Sequence, residues 1–174
     1  MILVYPGTES KNIQKIKEIL KGYPIGWMGD EHKEQQMAFL VDQAEKGNLE
    51  NEHVQGRDVP FIYFANVPVK EVGRIQKEME EAGLPIHSMA IETENNRNFQ
   101  LGALMEEVDR EAKYFQKRDE LADLIMQADP ARMEKDEDYF KCHLMAAGLL
   151  KEAELSEKML DTAIGVLKSL QNAR

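Results

Sequence analysis

Phe61-Ile62-Tyr63-Phe64-Ala65 is an apolar run opened by Pro60 and closed by Asn66. A strand with one face in water alternates polar and apolar residues. This run is apolar on both alternating faces, so it belongs in the middle of a sheet covered on both sides. Segments of helical period surround it. Ile2-Leu3-Val4-Tyr5 is a short β-rich run ended by Pro6-Gly7, and Ile13, Ile16, Ile19 and Leu20 then recur at helical spacing until Gly22. Pro24 to Met28 is a weaker strand, and Asp30 stands where it could cap a helix carrying Met37, Leu40, Val41 and Ala44, stopped by Gly47. After the central run, Asn66 and Pro68 precede a helix with Val72, Ile75, Met79 and Ala82 on one face, ended by Gly83 and Pro85. Ile86 to Thr93 gives a fourth strand, and Leu101, Leu104, Met105, Val108 and Ala112 stripe the helix after it.

Strand followed by helix, repeated along residues 1–112, predicts an α/β fold: a four-stranded, mostly parallel sheet with flanking helices. A ferredoxin-like α+β arrangement with an extra helix between its halves has the same element order and stays open. From Lys113 the strand signal disappears and a C-terminal all-helical extension over 113–174 is expected, with Asp129-Pro130 breaking one helix and starting another. In the last helix Leu155, Met159, Ala163, Val166 and Leu170 mark one face, and Leu160, Ile164 and Leu167 widen it. So wide a face calls for burial against the sheet domain, a second copy or another protein. Residues 47–59 are polar and aperiodic, the composition of a loop that could act as a lid.

Composition removes several classes of function. A formal charge of −10 with no Lys/Arg cluster opposes binding to nucleic acid or to an anionic membrane surface. One cysteine, Cys142, allows neither an internal disulfide nor a cysteine-based zinc site, and His32, His53, His87 and His143 are scattered without ligand spacing, so no metal and no cofactor are expected. Cys142 and His143 are neighbours on a helix and point about 100° apart, which suits a half-buried helix better than shared ligation. No apolar run approaches the roughly 20 residues of a bilayer span, and Met1 to Tyr5 lacks the features of a signal peptide, which gives a cytoplasmic expectation. Response-regulator phosphorylation needs a carboxylate after the central strand, where Ala65-Asn66 stands instead. The phosphate-loop, dinucleotide and nucleophile-elbow motifs do not occur.

Pro60-Phe61-Ile62-Tyr63-Phe64, Glu81-Ala82-Gly83-Leu84-Pro85, Met89-Ala90-Ile91 and the junction Thr93-Glu94-Asn95-Asn96-Arg97-Asn98-Phe99 follow one another in a pattern of their own. Val59 to Glu107 resembles the bacterial domain-of-unknown-function family 3783, with Ile2 to Val41 fitting its opening strand and helices more loosely, so that the resemblance covers about residues 1–112. Phe99 stands where the family pattern has tryptophan, and Glu94 where it often has proline. The resemblance implies a bacterial α/β protein and a place to look, without a reaction.

In a parallel sheet, ligands gather at the carboxyl ends of the strands, where helix N-termini offer free N–H groups. Four junctions are then expected to meet: Pro6-Gly7-Thr8, Gly29-Asp30, Asn66, and Thr93 to Asn98. Thr8, Asp30, Asn66, Thr93, Asn96, Arg97 and Asn98 are the ligand-binding candidates for a small anion or carboxamide, with Arg97 able to hold a carboxylate in two bonds. Capping explains Thr8, Asn66 and Asn98 equally well. No cap requires a guanidinium, so Arg97 stands apart. No catalytic residue is assignable. Two functions remain: a non-catalytic binding or regulatory module that associates, as a homo-oligomer or with a protein partner, through its C-terminal helices, and a small-molecule sensor or enzyme using the crevice around Arg97.

Overall fold

The computed structural model describes residues 1–8, 10–50, 59–84, 88–153 and 155–172. They form two compact units, Met1–Arg110 and Glu111–Arg174. The proposed lid falls largely on 51–58, and His53, His87 and the start of the expected fourth strand also lie outside the described residues.

The first unit is built on strands β1 (Ile2–Tyr5), β2 (Ile25–Trp27), β3 (Phe61–Phe64) and β4 (Met89–Ile91). Their order across the sheet is β2-β1-β3-β4. β3 is interior and wholly buried, as its two apolar faces require. β1 pairs in parallel with β2, and β3 with β4, so the sheet is mostly parallel and the expected α/β class is the one that forms. β1 and β2, and likewise β3 and β4, are each joined through a helix and are direct neighbours, which the split βαβ of the ferredoxin-like alternative does not allow. The central pair β1–β3 is antiparallel, with Ile2 opposite Phe64 and Tyr5 opposite Phe61.

Helices cover both faces. Helix α1 (Ser10–Ile19) presents Ile13 and Ile16, with Leu20 just beyond its end, and α3 (Val69–Glu81) presents Val72, Ile75 and Met79, to the face carrying Ile2, Val4, Ile62 and Phe64. Helix α2 (Met37–Glu45) and the first turns of α4 (Leu101–Met126) cover the other face, which carries Leu3, Tyr5, Phe61 and Tyr63. Each large apolar side chain removed from water contributes roughly 1.5–3 kcal/mol, so these two layers dominate the unit's stability. Lys15 Nζ donates to the Ala82 carbonyl at 2.8 Å, placing a cation at the carboxyl end of α3, where the helix dipole favours one. No helix among the described residues is long and apolar enough to cross a membrane.

Two capping expectations are corrected. Asp30 does not cap α2: it opens a 3-10 turn, Asp30–His32, and α2 starts at Met37 after Gln36, whose side chain makes no capping bond. Asn66 does not cap α3, which begins after Pro68; its φ of 55° places it in the left-handed region, which a short polar side chain tolerates better than most.

In the second unit the later turns of α4, with α6 (Glu137–Leu149) and α7 (Glu157–Asn172), enclose a core of Leu121, Leu124, Ala146, Leu155, Leu160, Ile164 and Leu167, and the short α5 (Pro130–Lys135) lies between α4 and α6 in the chain. The widening stripe of the last helix is the buried one. Met159 and Val166, from the stripe expected to lead, are 47% and 42% exposed. Arg118 on α4 donates to the carbonyls of Leu150 and Glu152 after α6 and to the Tyr114 hydroxyl, satisfying groups a helix end leaves open. Asp129 caps α5 and Asp136 caps α6, the latter accepting from the Tyr139 N–H at 3.0 Å.

That N–H, reinforced by Arg132 at 3.1 Å, holds the Asp136 carboxyl below the usual aspartate range. A folded-state pKa below the unfolded one gives stability that is present above the unfolded value and lost as pH falls through the folded one. Helix content of the second unit should therefore become easier to melt below about pH 4. Asp136→Asn should flatten that part of the profile, as read by urea titrations followed by circular dichroism at pH 7 and pH 3.

Candidate functional site

The antiparallel central pair separates the junctions expected to converge. Thr8 and Asp30 follow the carboxyl ends of β1 and β2, whereas Asn66 and Thr93 to Asn98 follow those of β3 and β4, at the opposite edge of the sheet. The single four-junction crevice is thereby corrected. Parallel pairing holds within each half of the sheet but not between halves, so helix N-termini point to both edges.

At one edge, the Tyr5 hydroxyl donates to Asp30 Oδ1 at 2.6 Å, and Lys33 pairs with Asp30 while lying 5.8 Å from the centre of the Tyr5 ring. Burial, then the bond to Asp30, raises the Tyr5 pKa, and Lys33, then Tyr5, lowers that of Asp30, so the phenol stays protonated and the carboxylate charged. The Gly29 N–H donates to His32 Nδ1 at 2.8 Å, which gives this histidine a turn-forming role. Thr8 is exposed.

At the other edge, residues 93–98 form a self-bonded turn. Asn96 Oδ1 accepts from the Tyr63 hydroxyl at 3.0 Å and from the Thr93 N–H at 2.9 Å, while its Nδ2 donates to the Ile91 carbonyl at 2.9 Å. Thr93 Oγ1 accepts from the Asn96 N–H at 3.1 Å. Asn98 does not cap α4; it lies in the 3-10 turn Asn96–Asn98 and donates to the Glu94 carbonyl at 3.0 Å. These bonds anchor the end of β4 to the interior strand β3.

Arg97 has a local explanation that the sequence did not offer. Its Nε lies 3.8 Å from Glu92 Oε1; the Arg97 side chain is 51% exposed and that of Glu92 only 13%. The guanidinium offsets a mostly covered carboxylate just past β4. Burial, and secondarily the Glu92 charge, drive the Tyr63 pKa far up, so that its hydroxyl serves only as a donor to Asn96. Tyr63 and Glu92 were absent from the sequence candidates. The signal for Tyr63 was its position: a tyrosine in an interior strand needs a partner for its hydroxyl.

The second unit holds a different concavity. Between α6 and α7 lies a groove of about 560 Å³, with Cys142, Met145, Leu149, Met159, Ala163 and Val166 along it and Glu152, Lys158 and Thr162 among its polar residues. Met145 is 70% exposed. On the other side of α6, Phe140 and Leu144 are also exposed, one helical turn apart. His143, between the two, is on the buried side of this half-buried helix: its ring packs 4.2 Å from that of Tyr139, Nδ1 meets the Tyr139 carbonyl at 2.9 Å, and Nε2 has no partner among the described residues. Among the described residues no three His, Cys, Asp or Glu side chains are grouped to hold a metal ion.

The first unit is thus a mixed α/β sheet domain whose best-marked turn is committed to its own backbone. Residues 60–115 match the family model described as Domain of unknown function (DUF3783), and the more loosely fitting residues before them fall outside the match. No curated protein and no solved structure matches the chain.

Proposed function

We propose that this protein is a non-catalytic binding module whose helical unit associates with a second copy of the chain through the α6–α7 groove. The observation that carries the reading is that groove, along which Met145, Met159 and Val166 are left exposed. Leaving contiguous apolar surface in water costs roughly 25 cal/mol per Å², and patches of this kind mark interaction sites. Methionines along the groove suit a helix docking there, since the side chain is unbranched and polarizable and adapts to what it meets. Set face to face about a two-fold axis, the grooves of two copies bury the exposed Met145, Met159 and Val166 of each against the other.

Light scattering on the full chain across a dilution series tests this. The expected result is a dimer that dissociates on dilution. Met145→Glu should weaken association by about tenfold or more, because a charge buried without a partner costs several kcal/mol, with helix content unchanged. A wild-type chain that is monomeric at every concentration removes the reading.

A further inference from the structure

The antiparallel meeting of two parallel strand pairs is the arrangement a local two-fold axis produces, and the buried positions follow the same axis. On the face-covering helices α1 and α3, the apolar residues in the core are Ile13, Ile16 and, just beyond the end of α1, Leu20 in the first case and Val72, Ile75 and Met79 in the second, at identical spacing. In α2 and α4 they are Met37, Leu40 and Val41, then Leu101, Leu104 and Met105, again at identical spacing, with Ala44 and Val108 packed at the same further step. Each first helix is followed by a glycine in the left-handed region, Gly22 at φ 99° and Gly83 at φ 68°, beginning the sequences Gly-Tyr-Pro-Ile and Gly-Leu-Pro-Ile.

Each second strand leads into a 3-10 turn whose first side chain accepts a tyrosine hydroxyl from the central strands, Tyr5 to Asp30 and Tyr63 to Asn96. On the axis itself Gln36 and Gln100, each immediately before a helix, pair with one another. The bonds around them are reciprocal: the Met37 N–H donates to the Phe99 carbonyl at 2.9 Å, and the Leu101 N–H to the Gln35 carbonyl at 3.0 Å.

We infer that residues 1–46 and 60–110 are two copies of one β-α-β-α module, and that the seam joining them is a self-complementary two-fold interface whose fitting partner is another copy of the module. The family match at residues 60–115 begins where the second copy begins, and the first copy lies outside it. Shared spacing of buried positions with little shared identity is what divergence under a packing constraint leaves behind, since cores tolerate substitution when pattern and volume are kept. The inference does not depend on the groove in the helical unit.

A full-length chimera tests it: residues 1–46 are replaced by a second copy of residues 60–110, with 47–59 kept as the connection and Cys142→Ser throughout. It should unfold in one cooperative transition with the α/β circular dichroism of the natural chain. Gln100→Cys placed in both copies should form an intrachain disulfide on mild oxidation, because a non-hydrogen-bonded antiparallel pair brings its Cα atoms to roughly 4.5 Å. The natural-order chain with Gln36→Cys, Gln100→Cys and Cys142→Ser should lose both free thiols in the same way. Failure of that chain to cross-link overturns the seam. A natural-order chain that cross-links beside a chimera that does not fold, or folds without cross-linking, overturns the equivalence of the copies.

Discussion

Asn96→Ala should destabilise the sheet unit by about 2–4 kcal/mol, a large share of what a domain of this size has to spare. The alanine removes the acceptor for the Tyr63 hydroxyl and the Thr93 N–H and the donor to the Ile91 carbonyl. The largest part of the loss is the buried Tyr63 hydroxyl left without a partner, since an unmet buried polar group costs about 1–3 kcal/mol. Tyr63→Phe in the same chain should restore part of that loss. The two effects should therefore be strongly non-additive in a double-mutant cycle read by urea denaturation. Additive losses would show that the hydroxyl is satisfied in some other way and that the turn does not anchor β4 to β3.

Gly26→Val should be at least as damaging. A Cβ at Gly26 would sit 2.7 Å from Ala44 Cβ and 2.8 Å from Leu3 Cδ2, closer than packed carbon atoms allow, so α2 or β1 has to move. Overpacking of this kind costs about 1–3 kcal/mol for one extra group, and valine adds two more methyls. The matching control is Gly73→Ala on the exposed side of α3. Nothing lies within 4 Å of a Cβ at that position, and exchanging glycine for alanine in a helix gains about 0.5–1 kcal/mol. Thermal melts of the two variants should move in opposite directions.

The elements were largely legible in the sequence because burial imprints a period. β3 reads as interior from Phe61 to Ala65 alone, and α3 is bounded by Pro68 before it and Gly83 after it. Strand direction was not legible: β1 and β3 satisfy the same apolar pattern in either orientation, and the choice between them decides which junctions share an edge. The expected convergence of the four junctions failed for that reason. Thr8 and Asp30 were grouped with Arg97 on the assumption of a parallel sheet, and Asp30 turned out to answer Tyr5. Capping preferences misled at Asn66 and Asn98, because asparagine suits a left-handed turn and a carbonyl-bonding turn as readily as a helix start. Arg97 was set apart because nothing nearby in the sequence required it, and its reason, the covered carboxylate of Glu92, depends on how far the end of β4 is buried. In the last helix both stripes were apolar. Which one faces inward was settled by the packing of Leu160, Ile164 and Leu167 against α4 and α6, and the remaining stripe became one wall of the groove.

Cys142 allows the association to be read at the groove itself, since it lines the groove and is the only cysteine in the chain. The rate of its alkylation by a small neutral reagent, followed in the full chain across the concentration range where light scattering reports dimer formation, tests the central claim most directly. The rate should fall as the dimer fills the groove, and should stay constant in Met145→Glu at every concentration. A dimer that forms while Cys142 reacts at its dilute-solution rate would place the interface elsewhere and contradict the account.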